Sequence, residues 1–279
     1  MELNLDFVGQ EITPRPYEYD WKTCALYALG IGADTNDLDY TWEAVPSFKV
    51  VPSFAVIPTQ PIVMKALAKV NADFRRLVHG AQTITMHNPI PAEGTLQSTG
   101  RITEIQDKGK GAVVIIETQT TDGDGKALFD TSWSIFCRGQ GDFGGERGES
   151  VTIPEIKEGA PAVLEKTYET VGSQALLYRL SGDLNPLHVD PELATKAGFP
   201  APILHGLCSY GYAARAAIES VCGGDPARLK SFTARFSQVV YPGDALSVTI
   251  VPSTVANTYR LQIDVGDRTV LSHGVIEVG

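Results

Sequence analysis

The sequence predicts an α+β fold made of one unit written twice, each copy a helical lead followed by several antiparallel strands. Three observations carry this. The period of the apolar residues changes from helical to alternating once in the first 140 residues and again after residue 166. Two short stretches align the copies, His79-Gly80 with His205-Gly206 and Pro89–Leu96 with Val239–Leu246. Turn formers are also abundant, with 27 Gly and 17 Pro in 279 residues, which calls for many chain reversals and therefore many strands. The expected division is an N-terminal repeat over residues 1–150 and a C-terminal repeat over 151–279.

In the first copy, Asp20 reads as the N-cap of a short helix that stops at Gly30. A Pro- and Val-rich connection follows, then a helical stretch from about Ile62 to Val70. From Gln82 onward the period is 2. Thr95–Ile105, Gly111–Thr120 and Ala127–Arg138 alternate and are rich in β-branched residues, with Asp122–Gly125 as a turn between two of them. That turn is a weak match to a calcium loop, because Trp133 stands where a Glu is needed. The Gly-rich stretch Arg138–Gly148 has no dinucleotide fingerprint between a strand and a helix. Residues 149–166 read as a linker.

The second copy repeats the order. Ala175–Gly182 echoes Ala25–Gly30, and Asp190 with Pro191 opens a short helix that ends near Gly198. Leu207, Tyr210, Ala214, Ala217, Ile218 and Val221 lie at helical spacing in a long helix from Gly206, stopped by Gly223-Gly224. Strands are expected over Ser231–Val240, Asp244–Val251, Tyr259–Val265 and Val270–Val278.

Composition narrows the function classes. A net charge of −10 argues against nucleic acid or an anionic membrane as partner, since both reward a basic surface. No apolar run reaches the ~18 residues of a membrane helix. The first residues lack the pattern of a signal peptide, and the last carry no peroxisomal address. Cys24, Cys137, Cys208 and Cys222 are scattered and read as reduced core residues. The expectation is a cytoplasmic protein.

The densest polar cluster runs from Tyr178 to Pro191. Pro186 pushes Asn185 out of the helical region, so Asp183–His188 is a turn on which Asp183, Asn185 and His188 can converge. An acid, an amide and an imidazole held together suit proton transfer through a water. The alternative is that Asp183 and Asn185 only build an Asx-type turn and that His188 is a surface residue. No zinc site is expected, because no second His or Cys sits nearby at ligand spacing. No nucleophile elbow for a serine is present. Gly206 opens the long helix, where free amides and the helix dipole can stabilise a carbonyl oxygen that gains negative charge.

These residues carry a resemblance. Tyr178–His188, with Ala194 and Pro202-Ile203-Leu204-His205-Gly206, resembles the hydratase 2 motif of the (R)-specific 2-enoyl-CoA hydratases, in the MaoC-like hot-dog superfamily. The likeness is closer to the two-repeat hydratase units of peroxisomal multifunctional enzymes of type 2. It extends to Val78-His79-Gly80, Asp107-Lys108-Gly109, Phe143-Gly144-Gly145 and Ala234–Ser237.

The resemblance implies a double hot dog, two curved antiparallel sheets each wrapped on a central helix. It implies reversible syn hydration of a trans-2-enoyl-CoA to a (3R)-hydroxyacyl-CoA, with no cofactor and no metal. Asp183 and His188 would activate the water, Asn185 would help to position that water or His188, and the Gly206 amide would hold the thioester oxygen. His79, Gly80, Lys108 and Phe236 would contact the acyl-CoA. The first repeat has Gly30–Leu38 in place of the motif, without a His, and is expected to be catalytically silent. Its Pro-rich stretch would leave room for a bulky acyl tail. A homodimer is expected, with a (3R)-hydroxyacyl-CoA dehydrogenase on a separate chain. A hot-dog thioesterase and a non-catalytic acyl-CoA binder are the other readings.

Overall fold

The structure is a computed structural model that describes residues 2–149 and 151–279. Two short strands, β1 (Glu11–Ile12) and β2 (Tyr17–Tyr19), precede α1 (Trp21–Gly30), α2 (Leu38–Thr41) and α3 (Val56–Lys69). Four long strands follow: β3 (Leu77–Met86), β4 (Gly94–Asp107), β5 (Gly111–Asp122) and β6 (Ala127–Arg138). The second half begins with β7 (Leu164–Glu169), α4 (Gln174–Tyr178), α5 (Pro191–Lys196) and α6 (Gly206–Ser220). It ends with β8 (Leu229–Phe236), β9 (Ala245–Pro252), β10 (Thr258–Val265) and β11 (Arg268–Val278).

The strands form one sheet rather than two lying side by side. Its order is β1-β4-β5-β6-β3-β8-β11-β10-β9-β7, with β2 also on β4. The seam is the antiparallel pair β3–β8, where Gln82 faces Ala234 and the Thr83 and Thr233 hydroxyls meet at 2.9 Å. Either side of it runs the same antiparallel series, β6-β5-β4 on one and β11-β10-β9 on the other. The seam is therefore a local two-fold relating the repeats. Asp73 caps the 3₁₀ turn before β3 and Asp225 the one before β8, and an Arg-Leu pair (Arg76-Leu77, Arg228-Leu229) follows each.

The two central helices are the core of the two halves. α6 buries Leu207 through Ala214 and Ala216 through Ile218, almost its whole circumference. An apolar surface on every side is what a helix wrapped by a sheet requires. α3 buries Val56–Thr59, Ile62, Val63, Ala66 and Leu67. It starts six residues before the expected Ile62, running on from a 3₁₀ turn at Pro52–Ala55. Pro61 sits inside it and removes the bond to the Ile57 carbonyl, which is why the sequence hides its first turn. All four cysteines are buried and free.

The structure corrects three further expectations. Alternation starts at Leu77, so His79-Gly80 lies in β3 and does not lead a helix as His205-Gly206 does. That pair does not align the repeats; the match of Pro89–Leu96 to Val239–Leu246 stands, since each leads into the second long strand of its half. The linker ends at Leu164, where β7 pairs with β9, and Ile156 already bridges to Ser253. β8 stops at Phe236 instead of Val240. Among the described residues, no helix is long and apolar enough to cross a membrane.

A candidate active site at the start of the long helix

Three segments of the second repeat bring the polar groups together. After α4 the chain passes through Gly182, whose φ of +137° is open only to glycine, and reverses into Asp183–His188. The Asp183 carboxylate accepts the Asn185 amide at 3.2 Å, and the Asn185 side-chain oxygen accepts the Leu187 amide at 3.1 Å. Pro186 then holds a 3₁₀ turn over Pro186–His188. Asp183 and Asn185 thus build the turn, as the plainer sequence reading had it. Asp183 is half-buried and Asn185 exposed.

His188 is 9 % exposed. Its Nδ1–H donates to the Ile203 carbonyl at 2.8 Å, which leaves Nε2 as a bare lone pair. His205, 1 % exposed, donates Nε2–H to the Asp183 backbone carbonyl at 3.1 Å. The two imidazoles stack with centroids 3.6 Å apart and planes 25° from parallel. Burial holds the His188 pKa below the usual histidine value. Burial, and next the neighbouring His188, push His205 down to about 3. Both rings are neutral at physiological pH, so Nε2 of His188 is a proton acceptor.

Ligand atoms of Asp183, His188 and His205 lie within 4.8 Å of one another. The fold supplies the second histidine that local spacing did not. The two ring planes, however, are stacked 25° from parallel, so their lone pairs run in separate layers. One nitrogen of each ring is already spent on a backbone carbonyl, whereas one zinc ion needs free lone pairs that converge. The group suits proton transfer better than metal binding.

Gly206 is the first residue of α6, so its amide has no acceptor within the helix. A β-carbon there would lie 3.1 Å from Cδ1 of Phe236, so glycine keeps this helix end open. Phe236 packs on His79 with centroids 4.7 Å apart, and His79 stacks on Trp133 at 5.0 Å. His79 donates Nε2–H to the Ala81 carbonyl at 3.1 Å, and burial pushes its pKa down to about 4. Gly80 falls at the β-bulge between His79 and Ala81, where β3 shifts register against β6. Its role here is to turn the strand.

Lys108 stands apart from this cluster. It lies in the β4–β5 turn, at the same end of the sheet as Leu77 but three strands away, roughly 14 Å at ~4.8 Å per strand. Its ammonium donates to the Arg147 carbonyl. Asp107 organises that corner by accepting the amides of Gly109, Asp142, Phe143 and Gly144 at 2.8–2.9 Å. These bonds, led by that from Asp142, push its pKa down to about 2.

Sequence reasoning reads His205 as a packing or hydrogen-bonded histidine, as found, but misses its stacking on His188 and the packing of Tyr178 and Trp133. Tyr178 is fully buried against His205 at 4.9 Å and its hydroxyl has no hydrogen-bond partner. The first repeat shows what was lost: Phe54 packs on Tyr27 at 5.6 Å as His205 packs on Tyr178. Asp34 accepts the Asn36 amide at 2.7 Å as Asp183 accepts that of Asn185. The turn survives there without its histidine.

Comparison with known proteins covers most of the chain. Residues 17–139 match the MFE-2 hydratase 2 N-terminal domain and residues 155–274 the MaoC-like domain. The chain is 39% identical over 280 residues to a probable enoyl-CoA hydratase 2 of Dictyostelium discoideum, covering 96% of this chain and 94% of that protein. The chain belongs to the hydratase 2 family of MaoC-like proteins. A 3-hydroxyacyl-thioester dehydratase Y of Mycobacterium tuberculosis is also 39% identical, with 99% of each chain covered. A solved MaoC-like dehydratase of Phytophthora capsici superposes with a TM-score of 0.87 at 30% identity over 99% of both chains. The fold of this hydratase 2 family member is the double hot dog, shared also with a Mycobacterium tuberculosis protein at 13% identity and a TM-score of 0.60.

Proposed function

We propose that the chain catalyses reversible hydration of a trans-2-enoyl-CoA to a (3R)-hydroxyacyl-CoA in fatty acid metabolism. One observation carries this most: the carboxylate of Asp183 and the unprotonated His188 imidazole meet beside His205, whose chain neighbour Gly206 opens α6 with an amide that has no acceptor in the helix. The thioester oxygen takes the Gly206 N–H, which stabilises it as it gains enolate character. Water lies between Asp183 and His188. Its oxygen bonds to C3, one of its protons passes to the pair, and the pair returns a proton to C2. The pair therefore ends as it began and needs no co-reactant. It acts as a unit, without division into a fixed acid and a fixed base.

Asn185 serves by fixing the turn that carries Asp183 and His188. His79 and Phe236 wall the cleft by the thioester, and Lys108 stands where a phosphate of the long CoA group can reach it. The four buried thiols fit a reducing, cytoplasmic setting, and a homodimer belongs to the same reading. The test is an assay of trans-2-enoyl-CoAs of graded chain length with chiral analysis of the product. Loss of enoyl absorbance with (3R)-hydroxyacyl-CoA formed supports the proposal. Release of free thiol with the enoyl absorbance unchanged would select a thioesterase, and affinity without turnover a binding protein.

A further inference from the structure

The local two-fold at the Gln82–Ala234 seam gives every part of the active cleft an image in the other half. The cleft lies where the lead into α6 meets the end of β8 at Phe236 and the start of β3 at His79. Its image is the place where the lead into α3 meets the end of β3 and the start of β8. A cavity of about 250 Å³ lies there, lined by Phe48–Val50 and Pro52, by Met86 and His87, and by Pro226, Ala227 and Lys230.

The first repeat keeps the Asp34–Asn36 turn but has no counterpart of His188, of His205 or of the open helix end. Phe54 stands where the active repeat has His205, and Phe54 and Ala55 are both fully buried, so the helix end is closed. Two lysines meet the cavity instead, in a protein whose net charge is −10. Lys230 is exposed and donates to the Ala227 carbonyl at 3.0 Å. Lys49 pairs with Asp39 at 3.2 Å and reaches the Gly224 carbonyl at 3.5 Å. An ammonium has three donors, so Lys230 keeps capacity for an anion. The carboxylate that shares the rim, Asp225, already accepts the Ala227 amide at 3.0 Å. Much of the wall is apolar, from Phe48, Val50, Pro52, Met86, Ile90 and Pro226, with Asn88 and His87, the latter paired with Asp130 at 3.0 Å, beside it.

We propose that this cavity is a second, non-catalytic ligand site for an aliphatic carboxylate, a fatty acid of medium length. Its chain lies on the apolar walls and its carboxylate meets Lys230 and Lys49. The choice of an aliphatic ligand rests on reading the active cleft as an acyl site; the location of the cavity does not.

The test is calorimetric titration of the full chain with decanoate, decanol and decanoyl-CoA, beside hydration kinetics measured separately. Decanoate is expected to bind saturably at one site and to leave the KM for enoyl-CoA unchanged. Decanol, lacking the charge, should bind roughly tenfold more weakly or worse, and so should decanoate to the Lys49→Glu, Lys230→Glu double variant. Ala227→Trp fills the cavity from its rim and should abolish decanoate binding while melting temperature and turnover stay as in the parent. If decanoyl-CoA binds here and decanoate does not, the ligand is a thioester and the proposal fails. It fails equally if decanoate shows no saturable binding at millimolar concentration, competes with enoyl-CoA, or binds the lysine variant as well as the parent. Loss of hydration activity with decanoate binding intact would instead refute the reading of the active cleft.

Discussion

The imidazole of His205 lies on that of His188, 3.6 Å between centroids, while its Nε2–H holds the backbone of Asp183 at 3.1 Å. One buried side chain thus touches both members of the proposed pair. His205→Phe keeps a flat ring for the stack and removes the donor. Turnover should fall about tenfold, the worth of one hydrogen bond at a buried carbonyl. The acid limb of the pH profile should stay where it is, because His188 is the group that titrates. Burial places that limb below the usual histidine value of about 6.5. Unchanged turnover, or a limb displaced in the variant, would contradict this role.

Gly206→Ala probes the open helix end. The new methyl would stand 3.1 Å from the ring of Phe236, so the ring must give by a few tenths of an ångström into the cleft. A drop in kcat of ~10–100-fold is expected, with melting temperature little changed, since small displacements at reacting atoms weigh that much. Adding Phe236→Leu should restore part of the loss. Steady-state kinetics on the single and double variants decide it, and a large fall in melting temperature for Gly206→Ala would count against a purely local effect.

Asp107 predicts a separate phenotype. Its carboxylate gathers four backbone amides from the β4–β5 turn and the Gly-rich loop. Asp107→Ala should loosen both segments, seen as faster amide exchange and easier proteolysis near Gly144. The KM for CoA thioesters should rise through the displaced Lys108, and kcat should hold. Equal losses in kcat and kcat/KM would place Asp107 in the chemistry instead.

Acid should destabilise the fold in two stages. His79 and His205 are neutral when folded, with pKa values near 4 and 3, whereas in the unfolded chain they take protons near pH 6.5. Their contribution is full above about pH 6.5 and declines as pH falls towards the folded values. Asp107, with a folded pKa of about 2, adds its own loss only below about pH 4. Melting temperatures should therefore fall already between pH 6.5 and 4, and less steeply in His79→Phe. A flat profile over that interval would contradict the burial argument.

The sequence revealed what depends on local chemistry. Asp190 and Pro191 mark a helix start, the alternation of β4, β5 and β6 is plain, and Pro186 fixes a turn that carries Asp183 and His188. What escaped it depends on distant contacts. α3 is disguised by Pro58 and Pro61, and its first turn is held by burial rather than propensity. His79-Gly80 and His205-Gly206 look alike as dipeptides, yet one sits at a strand bulge and the other at a helix start. The stacking of His205 on His188 joins residues separated by α5, and no spacing rule foretells it.

The central claim is that Asp183 and His188 activate water for addition to an enoyl thioester. The most direct measurement is the hydration rate of a trans-2-enoyl-CoA, followed by its absorbance, for the parent, Asp183→Ala and His188→Ala at equal folded concentration. Each variant should lose on the order of 10²–10⁴ in kcat with its melting transition retained. Near-parental turnover in either folded variant would contradict the account.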